Sequence, residues 1–150
     1  PHTRPNHPPP HAPLACAPPP AVISRTTLNA TLEYVKERKV FGSRVADFQN
    51  TRFELANALM NTELSELYVA RAIAAFNAGE LTAEDAAKAK VFASEKACTI
   101  TDRCLQLFGG YGYINEHPVA QAFLAARLLP IFGGTNELLR DNIGFDLLTE

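Results

Sequence analysis

The sequence predicts an all-α protein, an antiparallel four-helix bundle with a proline-rich, disordered N-terminal tail. Three observations carry that expectation. Apolar residues recur at three- and four-residue steps through long stretches, and glycines or capping residues punctuate those stretches at helical lengths. Nowhere is there a period-two alternation bounded by hairpin residues.

Nine of the 11 prolines fall in the first 20 residues. Missing amide donors and fixed φ angles exclude helix and strand there and favour polyproline II or disorder, so residues 1–22 are expected not to pack and residues 23–150 to form the bundle. His2, His7 and His11 lie in this tail at irregular spacing, where loose metal chelation is the weaker reading, and they are assigned no function. The first helix, SRTTLNATLEYVKERK, is capped by Ser24 or Thr26 and stops at Phe41-Gly42. A second runs from about Val45 to Ala78 and stops at Gly79; Met60, Leu64 and Leu67, then Val69, Ile73 and Phe76, have the spacing of a buried stripe. A third opens at the cap Thr82-Ala-Glu-Asp85, carries Ala97, Ile100, Cys104 and Leu107 on one face, and ends at Gly109-Gly110. A shorter one begins near Pro118 and reaches Leu129; the last starts near Asn136 with Leu138, Leu139 and Ile143.

Composition narrows the function. With 150 residues and 47% hydrophobic content the chain supports one domain with a real core. A net charge of −2 with no long basic run gives no nucleic-acid or membrane-surface footprint, which leaves a small molecule or another protein as partner. Three cysteines are an odd number, and Cys98 and Cys104 do not share a helix face, so a reduced, cytoplasmic setting is expected. No apolar run approaches the roughly 20 residues of a bilayer span, and no basic region precedes an apolar one at the N-terminus, so a soluble, unexported protein is expected.

Chemistry is expected at three helix ends. They are Arg38-Lys-Val-Phe41-Gly42 with Gln49 seven residues on, Gln106-Leu-Phe-Gly109-Gly110-Tyr-Gly112-Tyr113, and Gly133-Gly134-Thr135-Asn136-Glu137. A glycine-rich turn leading into a helix offers bare amides and a positive dipole end, suited to a phosphate or the edge of a flat cofactor, and an arginine adds a bidentate anion grip. The plainer reading is that the glycines only stop helices and the polar residues are solvated.

The stretches YVKERKVFGSRVADFQ and LQLFGGYGYINEHPVAQAFLAARLLPIFGGTNELLR, in that order, resemble the C-terminal helical domain of the acyl-CoA dehydrogenases, nearest the long-chain type. The resemblance covers roughly Thr31 to Leu148. It implies a four-helix bundle in a dimer or tetramer, with FAD lying between domains and across a subunit interface, acyl-CoA as substrate and an electron-transfer flavoprotein as partner. By the same resemblance Arg38 holds the FAD pyrophosphate, Phe41 packs nearby and Gln49 reaches the adenosine portion. Gln106 and Gly110 meet the cofactor of a neighbouring subunit, and Thr135 and Glu137 contact FAD after the catalytic turn. Tyr111 and Tyr113 pack either in the core or at that interface.

Two departures follow. Many relatives place a glutamate base where this chain has Gly133; the long-chain type supplies it from an upstream helix, at a position that falls near His11 or Ala12 here, and residues 1–32 contain no Asp or Glu. Ala125 stands where the family usually has aspartate. No catalytic residue is therefore assigned. The resemblance also implies two further domains, so the tail reads as foreign sequence and the chain as a truncated, mis-started or isolated domain: colourless, inactive alone, or a non-catalytic assembly module.

Overall fold

The computed structural model describes residues 8–149. His2 and His7 lie outside the described residues. Helix α4 (Ala83–Phe108) starts at the expected cap, where the Thr82 hydroxyl accepts the Asp85 amide at 3.0 Å. It is preceded by α1 (His11–Ala15), α2 (Pro18–Glu37) and α3 (Gln49–Ala78), and followed by α5 (Pro118–Leu128) and α6 (Asn136–Thr149). Gly79 closes α3 in the left-handed conformation, and the short link to Thr82 makes α3 and α4 antiparallel neighbours.

α4 is the axis of the bundle and packs against all five other helices. Ala86, Ala87, Ala89, Ala93, Ser94 and Ala97 are buried on one broad face of it, so neighbours approach closely there, while Thr99, Asp102, Arg103 and Gln106 are exposed on the other. Several buried hydroxyls are satisfied locally. Thr31 donates to Thr27 O at 2.7 Å, Thr62 to Ala58 O at 2.8 Å and Thr101 to Ala97 O at 2.8 Å, so these residues pack as small apolar ones without an orphan donor.

Three expectations give way. First, residues 11–22 are largely helical and packed: Pro13, Leu14, Ala17, Pro20 and Ala21 are buried. Pro18, Pro19 and Pro20 occupy the first turn of α2, where no amide has an intrahelical partner, so proline there forfeits no hydrogen bond and brings its φ already set.

Second, the apolar stripe on α3 faces outward. Met60 is 54% exposed, Leu64 53% and Leu67 67%; Ile73 and Phe76 are also exposed, and of the six only Val69, at 5%, is buried. The face against the bundle is Ala58, Thr62, Ser65, Val69 and Ala72, the same four-three spacing filled with small residues that fit against α4.

Third, the chain after α2 does not simply stop at Phe41-Gly42 but forms a hairpin, β1 (Lys39–Val40) against β2 (Ser43–Arg44). Phe41 (φ 51°) and Gly42 (φ 81°) make its two-residue turn, both with positive φ as a type I′ turn requires. Two-residue strands are too short to show alternation.

Arg25 on α2 grips Glu66 on α3 through two hydrogen bonds, of 2.8 and 2.5 Å, and holds that carboxyl below its usual 4.5. A lowered carboxylate pKa adds stability above its unfolded value and loses it as pH falls through the folded one. The stability gap between the wild type and Glu66→Gln, read by urea unfolding, should therefore narrow on going from about pH 7 to about pH 3. An unchanged gap would mean that the pair contributes nothing.

Candidate functional site

An open cleft of about 480 Å³ lies where the C-terminal ends of α2 and α4 meet. Tyr34 stacks on Phe108 with ring centroids 4.1 Å apart, and its hydroxyl donates to Phe108 O at 3.2 Å, which pins the two helix ends together. Arg38, the C-cap of α2, is fixed by its backbone. Its amide donates to Tyr34 O and its carbonyl accepts Val45 N, both at 2.8 Å. The guanidinium lies 5.4 Å from the Tyr111 ring centroid, a cation–π contact, and forms no salt bridge among the described residues. Gln106, Gly109 and Gly110 line the same cleft, and a Cβ on either glycine would meet nothing within 4 Å. Gly112 differs, because a Cβ there would come within 2.7 Å of Leu105 O, so packing alone requires it.

The structure thus unites Arg38, Gln106 and Gly110, which are far apart in sequence. Phe41 sits beside them on the hairpin, 99% exposed and held at positive φ, an unfavourable placement for a bulky side chain. Gln49 is exposed at the first turn of α3. None of Phe41, Gln49, Thr135 and Glu137 lines the cleft itself. Thr135 and Glu137 stand at the start of α6, where the Thr135 hydroxyl accepts Leu138 N at 3.3 Å and Glu137 adds an acid to the first turn. Tyr111 lines the cleft and Tyr113 is exposed, so neither is core.

The Gly133-Gly134 turn before α6 has positive φ at both glycines, 67° and 93°. A Cβ on Gly133 would overlap the Cys16 sulfur, and among the described residues, chain neighbours aside, Cys16 supplies the only atoms within 4 Å of that position. Gly133 therefore does leave room for a side chain from upstream, and that side chain is a thiol one turn beyond Ala12, not a carboxylate. Cys98 donates to Ala126 O at 3.2 Å, and burial pushes both its thiol and that of Cys104 up; all three cysteines are free.

Beneath the turn lies a network that the sequence reading missed. Lys90, 0% exposed, donates to Gly134 O at 2.8 Å, Asn136 Oδ1 at 2.7 Å and Pro130 O at 3.4 Å. Asn136 donates to Ser94 Oγ at 3.0 Å and Glu95 Oε1 at 3.2 Å, and Arg140 closes on Glu95 Oε2 at 2.7 Å. Burial pushes the Lys90 amine below its usual 10.5, with Cys16, Glu137 and Glu95 opposing. The one signal available was a lysine in register with Ala86, Ala93 and Ala97 on a row of small residues. Among the described residues no group of three or more His, Cys, Asp or Glu could hold a metal ion, and no helix is long and apolar enough to cross a membrane.

An all-helical bundle with glycine-lined helix ends is what known proteins of one class share. Residues 14–148 match the acyl-CoA dehydrogenase C-terminal domain, and the chain belongs to that family, which is FAD-dependent. It is 36% identical over 120 residues to the long-chain specific acyl-CoA dehydrogenase, mitochondrial, of Rattus norvegicus, covering 80% of this chain and 28% of that one. It is 34% identical over 116 residues to the caffeyl-CoA reductase-Etf complex subunit CarC of Acetobacterium woodii, covering 77% and 31%. The structure of butyryl-CoA dehydrogenase from Megasphaera elsdenii superposes with a TM-score of 0.88 at 35% identity, covering 91% of this chain and 36% of that one. The chain thus spans about a third of the length of these relatives.

Gly133→Ala should cost about 1–2 kcal/mol for the left-handed backbone and a further 1–3 kcal/mol, roughly, for the overlap with Cys16. Cys16→Ala added to it should recover only the second part. A double-mutant cycle by urea unfolding checks this: strict additivity would show that the two residues do not touch.

Proposed function

We propose that this chain is the FAD-contacting and assembly domain of a flavin-dependent acyl-CoA dehydrogenase, an oxidoreductase that introduces an α,β double bond into acyl-CoA thioesters. The observation that carries the reading is the cleft uniting Arg38, Gln106 and Gly110. Its donor set suits FAD. The exposed guanidinium fits a pyrophosphate, the Gln106 amide fits a neutral edge, and the bare backbone at Gly110 admits close approach. Phe41 and Gln49 flank the same grip. Thr135 and Glu137 lie nearer the other end of α4, about 24 Å from Gln106 by the rise between residues 90 and 106. That separation supports two cofactors per chain, one held by the Arg38 cleft and a second met by the Gly134–Glu137 turn, as expected where FAD lies across a subunit interface.

When bound, FAD supplies the hydride acceptor. This chain's own residues bind and orient; among the described residues the group against Gly133 is the Cys16 thiol, and the proposal takes the base for the α proton to come from outside them. An electron-transfer flavoprotein as the onward acceptor fits the complex named for the Acetobacterium relative. Three free thiols support a reducing, cytoplasmic setting. The outward stripe of Met60, Leu64 and Leu67 favours self-association, and it is also what supports the alternative reading, a non-catalytic assembly module.

Two measurements separate the readings. The chain alone, incubated with FAD and desalted, should show no flavin band, because its partial contacts do not offset the cost of immobilising the ligand. Grafted in place of the matching segment of the long-chain relative it should hold FAD, and Arg38→Ala should weaken that binding roughly ten- to a hundredfold. Unchanged retention in that variant would exclude Arg38 from the site and leave the assembly reading. In the chain alone, Leu64→Lys with Leu67→Lys should lower the mass seen by light scattering, whereas a wild-type monomer would remove self-association from the proposal.

A further inference from the structure

The segment Ile131–Thr135 is held by the turn hydrogen bonds of Ile131 N and Phe132 N to Leu128 O, both at 2.9 Å, and by the packing of Gly133 against Cys16. Ile131, Phe132, Gly133 and Thr135 are exposed, so apolar burial does not fix it. Two adjacent glycines lose more conformational freedom on ordering than any other pair would. Yet both glycines sit at defined positive φ, and the segment is closed at its neck by Asn136 N donating to Pro130 O at 2.9 Å.

Lys90 is the group that reaches this segment from inside. An ammonium has three donors, and here they meet three acceptors: Pro130 O before the turn, Gly134 O within it and Asn136 Oδ1 after it. Among the described residues no carboxylate lies within salt-bridge distance of the ammonium, so these three hydrogen bonds are what offset its burial, and removing the amine strands acceptors at the turn first. Lys90 therefore acts first on the geometry of the turn. The bonds continue through Asn136 to Ser94 and Glu95 and on to Arg140, so the turn and the first two turns of α6 are tied to α4 as one unit.

We propose that Lys90 is a positioning residue, which sets the conformation of the Gly133–Gly134–Thr135 turn from beneath and so the angle at which that turn is presented to a ligand. The ligand, FAD with its acyl thioester, rests on the reading above; the order of the turn does not, and it can be measured in the chain alone.

The test is hydrogen–deuterium exchange on the 150-residue chain, with thermal melting in parallel. Lys90→Met keeps the stem and removes charge and donors. Amides of residues 131–137 should exchange about tenfold faster or more, as expected for lost hydrogen bonds to a charged group. Protection in α3 should stay the same, and any fall in melting temperature should be small beside the local effect at the turn. Uniformly faster exchange with a lowered melting temperature would reduce Lys90 to a stability residue and overturn the proposal, as would no change at the turn. A wild-type measurement stands if that variant does not fold. Nitrogen–proton correlation of the lysine ammonium groups should show a slowly exchanging, hydrogen-bonded signal from Lys90, and its absence would also overturn the proposal. Ordering of the turn by Lys90 together with failure of the grafted chain to hold FAD would leave this inference intact and the flavin reading wrong.

Discussion

The rest of the structure depends on how closely helices can approach α4. Its buried residues are mostly alanine, serine and threonine, and five helices share its surface. Small side chains there force small side chains on the partner faces: Ala58, Thr62, Ser65 and Ala72 on α3, and Ser24, Thr27 and Thr31 on α2. The hydroxyls of Ser24, Thr31, Thr62 and Ser65 return their hydrogen bonds to their own helix, so close packing is reached with only Thr27 of those named left unpartnered. The larger apolar side chains of α3 are left facing away.

The same constraint organises the functional ends. The Tyr34–Phe108 stack brings the end of α2 against the end of α4, and a charged residue and a glycine-lined turn then share one cleft. Nearer the start of α4, a lysine stem fits a row of alanines that a branched apolar side chain would crowd, and its head reaches the turn before α6. One helix therefore positions both candidate segments. It holds the first by aromatic packing and the second by a buried ammonium.

Cys16 fills the space that Gly133 leaves open, a thiol from the link between α1 and α2 held beside the packed first turn of α2. A side chain at position 133 and the Cys16 sulfur cannot occupy that space together.

Helix boundaries were legible because caps and stops act locally: Thr82, Gly79, Pro118 and Gly109 each decide their own turn through φ or a side-chain hydrogen bond. The residues of the cleft were legible as motifs, by type and order. Which residues face the core of α3 was not, since two rows share one period and only the small one fits the space beside α4. Nor was the packing of residues 11–22, since proline forbids a helix interior but suits its first turn. Lys90 reads as a surface charge until α6 and the turn before it close over it. The sequence by itself determined the helix ends from Gly79 onward, where caps and stops act locally, but not the starts of α1, α2 and α3. The tertiary structure alone decided which faces they bury and which distant residues meet, because those depend on the space that neighbouring helices leave.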